Sequence, residues 1–251
     1  MASVNAIIVT SQRTGSTFLA EVLDAHPDVR CYGEVLNGSP VRPPPIVRDY
    51  KYAAKTYRYI VSGAWRPIAT MERCYAHAEK PIVAFQAMYN RVNTRSVRRF
   101  LQERQDIRII HLRRDNLLKQ YVSRALLTKK RGASKERPWS PHTSSPVPAV
   151  STRISPAKAI KEMRKVRDLF NEFESFFARH RKIELVYEQM INGQSLSSAA
   201  WAAVGELLEI EPAEAASDQI KINPGDLRPM VENYDELADA LKGTEFERFL
   251  D

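Results

Sequence analysis

A short polar turn near the start of the chain carries residue types suited to holding an anion. Arg13 can donate two parallel hydrogen bonds to a phosphate or a sulfate. Gly15 lets the backbone approach a ligand closely. Hydroxyl donors come from three further residues of the turn, Thr14, Ser16 and Thr17. The same composition also suits a Ser/Thr-rich helix cap beside a surface arginine, but anion binding is the chemistry that it favours.

The flanking sequence predicts a strand before this turn and a helix after it. Ala6 to Val9 is a short apolar run typical of a buried strand. The helix is predicted to end at His26-Pro27, because the residue before a proline disfavours helical geometry. Its apolar face consists of Phe18, Leu19, Val22 and Leu23. A strand, a small-residue turn and a helix in this order aim backbone N–H groups at an anion.

Two other anion-binding classes do not fit the turn. The nucleotide-triphosphate loop G-x-x-x-x-G-K-[ST] has a lysine after its second glycine, whereas this turn has Gly15 alone, with Arg13 before it. A cysteine-dependent phosphatase would need a cysteine in the turn. Cys31 and Cys74 lie elsewhere and suggest neither a disulfide framework nor metal-ligand spacing. The sequence predicts no metal site.

Length and composition indicate one α/β domain covering residues 1–251. Of the 251 residues, 43% are hydrophobic and 27% are charged, as in ordinary globular proteins. The formal net charge of +8 suits a polyanionic ligand, such as a nucleotide, a sulfated sugar or a nucleic acid. We expect a cytoplasmic protein without a membrane span, because the sequence contains neither a signal peptide nor an apolar run of about 18 residues.

The turn and the residues after it resemble a known enzyme family. Residues 13–17, with Leu19, Leu23, His26-Pro27 and Gly33-Glu34, are similar to the 5′-phosphosulfate loop of sulfotransferases that use 3′-phosphoadenosine 5′-phosphosulfate (PAPS). The resemblance is greatest to the bacterial carbohydrate branch, which includes trehalose and nodulation-factor sulfotransferases. It implies a P-loop-like sulfotransferase fold, PAPS as cofactor and adenosine 3′,5′-bisphosphate (PAP) as product. It further implies that the 5′-phosphosulfate is bound by Arg13, Thr14, Gly15, Ser16 and Thr17.

A second strand-to-helix junction also carries cations. A predicted strand at 107–112 precedes Arg113 and Arg114, and a predicted helix runs over about 117–130. The segment resembles the family's 3′-phosphate motif, in which an arginine ends a strand and a serine, here Ser123, lies on the next helix. The spacing from Arg114 to Ser123 is one residue longer than the spacing that is commoner in the family. The 3′-phosphate arginine is therefore either Arg113 or Arg114, and Arg114 is favoured. The alternative is a pair of exposed charges.

The remaining pattern alternates strands with helices. It predicts a mostly parallel central sheet flanked by helices, with ligands beyond the carboxyl ends of the strands. Tyr187-Glu188 is similar to a segment of the sulfotransferase family. Further along, Lys221 and Arg228 are either nucleotide contacts or surface charges. The further predicted strands are 81–85 and 183–187, and the further predicted helices are 94–104, 155–180, 197–208 and one beginning near 233.

Two segments interrupt this alternation and are expected on the substrate side. Residues 37–80 begin rich in proline and continue as a predicted helical stretch, which forms either an acceptor wall or an insertion that packs its own tyrosines. Residues 131–155 are rich in proline and serine and resemble a long mobile loop that could close as a lid over a reactive donor. Trp139 within it could stack on a sugar. The sequence therefore indicates only that the acceptor is a saccharide or a small molecule, and it does not indicate the oligomeric state.

Transfer to a hydroxyl needs a general base. The resemblance points to Glu34, since bacterial carbohydrate relatives carry a glutamate at the matching position, and it makes Arg13 the other catalytic residue. Alternatively, Glu34 pairs with Arg13 structurally. His142 is the next candidate base. His26 is expected to stabilise its turn and His111 to lie in the core.

Two rival functions and one departure from the family remain. An ATP-dependent small-molecule kinase is disfavoured by the absent glycine-lysine loop and the absence of an obvious metal-binding carboxylate. A basic nucleic-acid-binding protein would carry its cations along one face, whereas here they lie at strand ends. Gln86 stands just after a predicted strand, where the family often has a lysine, and it could donate only a neutral hydrogen bond.

Overall fold

The structure is a computed structural model that describes residues 4–37, 66–76, 80–133, 150–218 and 226–250. Within these residues five strands form one sheet in the order β2-β3-β1-β4-β5, with every neighbouring pair parallel. The strands are β1 (Val4–Thr10), β2 (Val29–Cys31), β3 (Ile82–Met88), β4 (Arg108–Arg113) and β5 (Lys182–Val186). The predicted α/β fold with a mostly parallel sheet is thus confirmed.

Helices connect and cover the strands. A two-residue antiparallel pair, β6 (Ile191–Asn192) with β7 (Ser195–Leu196), forms a separate small hairpin. Single 3₁₀ turns cover Val35–Asn37, Arg228–Met230 and Glu247–Phe249. The helices are α1 (Ser16–Ala25), α2 (Pro67–Ala76), α3 (Tyr89–Val92), α4 (Arg95–Glu103), α5 (Leu117–Ala133), α6 (Pro156–Phe176), α7 (Tyr187–Met190), α8 (Ser198–Leu208) and α9 (Tyr234–Leu241).

The chain divides into two compact units. The first comprises residues up to 113 together with 173–217, and it contains the whole parallel sheet. The second comprises 114–172 and the residues from 218 onward, and its apolar core joins α5, α6 and α9 through residues such as Leu118, Met163 and Leu237. The division falls within α6. The single domain expected from the sequence stays a prediction.

Both faces of the sheet are covered, which explains why its strands are apolar throughout. On one face, residues such as Ile8, Ala84 and Ile110 pack in one cluster with Leu19 of α1 and Trp201 of α8. The other face carries a group of stacked and edge-on rings, among them Tyr89, His111, Phe173 and Phe177. Every residue of β3 is buried. The sheet is therefore a rigid base for residues at its carboxyl edge.

The carboxyl end of α1 is fixed by two polar side chains. His26 adopts an extended backbone before the proline, and its Nδ1 accepts a hydrogen bond from the Asp28 N–H at 3.1 Å. This confirms the predicted role of His26 in the turn. Lys80 Nζ donates to the carbonyl oxygens of Asp24, His26 and Val29 at 3.3, 2.7 and 2.8 Å. The first two bonds satisfy carbonyl groups that the end of α1 leaves without helical partners, and the third connects Lys80 to the start of β2.

The structure also differs from the predicted element boundaries. The strand predicted at 81–85 continues to Met88, because β3 stays paired with β1 as far as Thr10, so Gln86 lies inside a strand. The described ends of the segment predicted as a loop at 131–155 show two features. Helix α5 extends to Ala133, since its hydrogen-bonded turns continue past the predicted end, and Thr152 bridges to Val231.

Part of each predicted excursion lies outside the described residues, as do Trp139, His142 and Lys221. The described end of the first excursion is α2, which buries Met71, Cys74 and Tyr75. Cys31 and Cys74 are both free thiols. Burial raises the pKa of the Cys31 thiol to about 12.

Candidate active site

The carboxyl ends of β1 and β4 lie side by side, with Thr10 in register with Leu112. The Thr10 and Thr14 hydroxyl oxygens are 2.6 Å apart, and Thr10 Oγ1 lies 2.7 Å from the Leu112 carbonyl oxygen. The two hydroxyls share one hydrogen bond, and the Thr10 hydroxyl is also placed to donate to the Leu112 carbonyl oxygen. This chain of hydrogen bonds holds the residues after β1, which we call the Arg13 turn (residues 11–17), against β4.

The backbone of the Arg13 turn is bent by two residues in the left-handed region, Arg13 with φ 65° and Gly15 with φ 81°. A non-glycine residue in this region is strained, and such strain often occurs at ligand-binding sites. Gly15 is the N-cap of α1 and has no side chain to cap the helix. The first turn of an α-helix has N–H groups without intrahelical partners and carries a partial positive charge. The turn thus combines a cation with a helix N-terminus.

Tyr187, the first residue of α7, packs directly on Gly15. A Cβ atom at Gly15 would lie 2.5 Å from Tyr187 Cδ2 and 3.2 Å from Met190 Cε. Both distances are too short for ordinary contacts. Position 15 therefore requires glycine for its conformation and also for the space that α7 occupies.

The predicted residues of this turn differ in accessibility. Arg13 and Gly15 are half-buried, whereas Ser16 and Thr17 are buried, with 5% and 8% of their surface exposed. Thr14 is fully buried, and its hydroxyl bonds to Thr10. This hydroxyl stabilises the turn, and the predicted role of Thr14 toward a ligand stays a prediction.

Glu34 lies at the same edge of the sheet, beyond β2. The chain there continues alongside β3, with the Tyr32 N–H donating to Ala84 O and the Gln86 N–H donating to Gly33 O, both at 2.9 Å. Gly33 takes a left-handed φ of 66°, and Val35 behind Glu34 is fully buried. Glu34 itself is half-buried. One strand, β3, separates the strand before Glu34 from β1, so these two strands lie about 10 Å apart.

The second predicted phosphate site lies in the second unit, in what we call the Arg114 junction (residues 114–123). Here Asn116 caps α5, because its Oδ1 accepts a hydrogen bond from the Lys119 N–H at 2.8 Å. Arg114 is half-buried, and Ser123 on the second turn of α5 is 5% exposed. In the first unit, Arg113 at the end of β4 forms an ion pair with Glu184 of β5.

His111 takes part in a buried network and is not a site residue. Its Nε2 lies 2.8 Å from the Tyr89 hydroxyl and its Nδ1 lies 2.9 Å from Glu174 Oε2, while Lys182 pairs with the same carboxylate. Burial lowers the pKa of His111 and raises the pKa of Tyr89. Burial opposes ionisation of Glu174, but its bonds to Lys182 and His111 lower its pKa. The prediction that His111 is a core residue is confirmed.

Two residues that shape the Arg13 turn were not among the predicted site residues, Thr10 and Tyr187. The signal for Tyr187 was its place in the Tyr-Glu segment similar to the family. Thr10 gives no local signal, since its role depends on Leu112 of a distant strand. The structure brings the Arg13 turn and Glu34 to one edge of the first unit, and it places Arg114 and Ser123 in the second.

Solved structures show which fold this architecture represents. The crystal structure of a sulfotransferase from Alicyclobacillus acidocaldarius matches with a TM-score of 0.51 at 13% identity, covering 100% of this chain and 96% of the other. The sulfotransferase domain from the curacin biosynthetic pathway gives 0.50 at 14%, covering 91% and 80%. Sulfotransferase STF9 from Mycobacterium avium gives 0.50 at 12%, covering 98% and 79%. The chain has the P-loop-like fold of sulfotransferases.

A family model extends this conclusion from the fold to the family. Residues 6–197 match the model described as the sulfotransferase family. The chain belongs to the sulfotransferase family, and it is a sulfotransferase enzyme. A comparison with curated proteins finds no match. In the described part of the chain, no helix is long and apolar enough to cross a membrane.

Proposed function

We propose that this sulfotransferase moves a sulfuryl group from PAPS to a hydroxyl or amine of a saccharide or small-molecule acceptor. The observation that carries the proposal is the Arg13 turn. A cation, a glycine N-cap without a side chain and the N-terminus of α1 meet at the carboxyl edge of a parallel sheet. When bound, PAPS supplies the activated sulfuryl group.

The donor set of the Arg13 turn fits a 5′-phosphosulfate. We assign its binding to Arg13, to the backbone amides of residues 14–17 and to the hydroxyls of Ser16 and Thr17. The guanidinium and the helix terminus stabilise negative charge on the phosphate that leaves and on the sulfuryl oxygens, as in phosphoryl transfer. The left-handed backbone of Arg13 fixes these donors in advance, which lowers the cost of reorganisation.

We assign the 3′-phosphate to Arg114 and Ser123. Arg113, which forms an ion pair with Glu184, is the alternative arginine. A guanidinium and a serine hydroxyl provide charge-assisted and neutral hydrogen bonds to a phosphate. Such a site would distinguish PAPS from ATP, which has no 3′-phosphate.

Glu34 is the proposed general base. It lies at the carboxyl edge that also holds the Arg13 turn, with one strand between them. This separation leaves room for the transferred group and the acceptor oxygen between a bound donor and the carboxylate. Glu34 would take the proton of the acceptor hydroxyl as the oxygen attacks sulfur in line. A saccharide acceptor of the trehalose or nodulation-factor type and a cytoplasmic location stay predictions.

Calorimetric titration with PAP, with AMP and ATP in parallel, tests the proposal. We expect tight binding of PAP and weak binding of AMP and ATP, because only PAP carries the 3′-phosphate. Equal affinity for PAP and AMP would reject the PAPS assignment. A mobility shift on nucleic acid that disappears with salt, without PAP binding, would favour the nucleic-acid-binding alternative.

A further inference from the structure

One buried side chain, two residues before the carboxyl end of β3, carries a hydrogen-bond acceptor that has no partner in the protein. Gln86 is 2% exposed, and its Oε1 atom has no hydrogen-bond partner. Buried polar atoms are nearly always bonded, since an unsatisfied one destabilises the folded state. At Gln86, near the carboxyl end of β3, a ligand can supply the missing donor.

The strand places Gln86 beside the groups already assigned to the reaction. Side chains of β3 alternate between faces, and Ile82 and Ala84 belong to the cluster that packs against α1, so Gln86 also lies on the α1 face. It is in register with Ile8 of β1, and its backbone N–H bonds to Gly33, the residue before Glu34. Gln86 is thus positioned between the strand that leads to the Arg13 turn and the segment that carries Glu34.

The chemistry of the missing donor identifies its source. The phosphate and sulfate oxygens of the sulfuryl donor are hydrogen-bond acceptors, so they cannot satisfy a carbonyl oxygen. The attacking hydroxyl has one proton, which goes to Glu34. A second hydroxyl or amine of the acceptor, close to the attacking oxygen, can supply the hydrogen bond to Gln86 Oε1.

We propose that Gln86 binds the sulfuryl acceptor, with Oε1 accepting a hydrogen bond from a second hydroxyl or amine next to the hydroxyl that Glu34 deprotonates. The preferred substrate class is then a polyhydroxylated or amino-hydroxyl compound, and an isolated alcohol is a poor substrate. This inference rests on the proposed function, because it takes Glu34 as the base.

The variant Gln86→Met keeps the length of the side chain and removes its hydrogen-bonding groups. The matched control is Gln102→Met, since Gln102 is exposed on α4. Transfer from labelled PAPS is measured to trehalose and methyl α-glucoside as polyols, and to benzyl alcohol as a single hydroxyl. For the polyols we expect Gln86→Met to raise KM about 10-fold with kcat nearly unchanged. KM for benzyl alcohol and the affinity for PAP should stay unchanged.

Unfolding by urea in the absence of ligands provides a second readout. Replacing an unsatisfied buried carbonyl by an apolar group of similar size removes its desolvation cost. The midpoint of Gln86→Met should therefore exceed that of the wild-type chain, while Gln102→Met should show no change. A lower midpoint would mean that the amide is bonded within the protein, and it would overturn the inference.

The outcomes separate this inference from the proposed function. If PAP binds but the Gln86→Met variant and the wild-type protein have the same KM for polyols, only the role of Gln86 is rejected. A preference of the wild-type protein for benzyl alcohol also rejects that role alone. If neither class of acceptor is sulfated but PAP binds, the urea midpoint decides: a higher midpoint supports the inference and an unchanged one rejects it. If PAP does not bind to the wild-type chain, the proposed function itself fails.

Discussion

The Arg13 turn and the Arg114 junction each place an arginine between a strand and a helix, but only the second has a side chain that caps the helix N-terminus. In the Arg13 turn, the N-cap of α1 is Gly15, which has no side chain. In the Arg114 junction, the Asn116 side chain caps α5 through the Lys119 N–H. A capped helix start has one N–H fewer to offer a ligand.

This difference separates two ways of binding an anion. Under our proposal, backbone amides at the Arg13 turn would surround the bound group closely, which suits a centre where charge develops during the reaction. At the Arg114 junction, side chains would provide most of the contacts, which suits recognition of a group that does not react. We therefore expect substitutions in the Arg13 turn to affect rate and those in the Arg114 junction to affect affinity.

Arg13→Ala should have the largest effect. Removing a guanidinium that stabilises transferred charge should lower kcat by about 10³–10⁵-fold and weaken PAP binding. The rate of transfer from labelled PAPS and PAP calorimetry measure the two effects. Arg95→Ala is the matched control, since Arg95 is exposed on α4. Turnover within 10-fold of the wild-type rate would remove Arg13 from the mechanism.

Glu34→Gln tests whether proton removal occurs beside the Arg13 turn. Loss of a general base should lower turnover by about 10²–10⁴-fold, while PAP affinity stays within about 3-fold because the amide keeps the shape of the side chain. The control is Glu211→Gln, since Glu211 is exposed. Near-normal turnover would show that Glu34 is not the base, and the structural pairing with Arg13 would then be preferred.

Arg114→Ala tests the recognition role of the second junction. Loss of a charge-assisted hydrogen bond of about 1.5–3 kcal/mol should weaken PAP binding by about 10–100-fold and leave AMP binding unchanged. Ser123→Ala should act in the same direction with a smaller loss. Competition calorimetry with PAP and AMP measures both. If Arg113→Ala has the larger effect, the 3′-phosphate belongs to Arg113.

Gly15→Ala measures how tightly the Arg13 turn is packed. A left-handed alanine costs about 1–2 kcal/mol, and overpacking against Tyr187 adds about 1–3 kcal/mol. Gly193→Ala is a matched control, because Gly193 also has a positive φ but would place its Cβ in open space. Urea unfolding should show the larger loss for Gly15→Ala. Equal losses would mean that Tyr187 moves aside without cost.

Asn116→Ala should have the smallest effect and sharpens the comparison most directly. Loss of a helix cap costs about 1 kcal/mol of unfolding free energy. The matched control is Thr94→Ala, which removes the cap of α4 and should lower the unfolding free energy by a similar amount. PAP affinity should change less than 3-fold in both variants. A large change in PAP affinity for Asn116→Ala alone would place the α5 terminus in the phosphate site, contrary to our assignment.

Long, regular elements of the fold were predictable from the chain. The apolar run of β1, the helix after the Arg13 turn and the strands β4 and β5 follow from hydrophobic patterns of adequate length. The three-residue β2 and the one-turn helices α3 and α7 were missed, because they are too short to show a periodic pattern. The extension of β3 past Phe85 depends on pairing with β1, which the local sequence does not reveal.

The sequence by itself determined the residue types of the candidate site and their order along the chain. Arg13, Gly15 and Glu34 could be named because local turn chemistry and the family resemblance both lie within one short stretch. The parallel strands then bring the Arg13 turn and Glu34 to one edge, as alternating strands and helices predict.

Only the tertiary structure decided which polar atoms of these residues are already bonded. The Thr14 hydroxyl is bonded to Thr10, which in turn bonds to Leu112 of a strand about a hundred residues further along the chain. The space above Gly15 is filled by Tyr187, and Gln86 keeps an unsatisfied oxygen inside a buried strand. Such contacts depend on the pairing of strands that are distant in sequence, and the residues around each contact do not reveal that pairing.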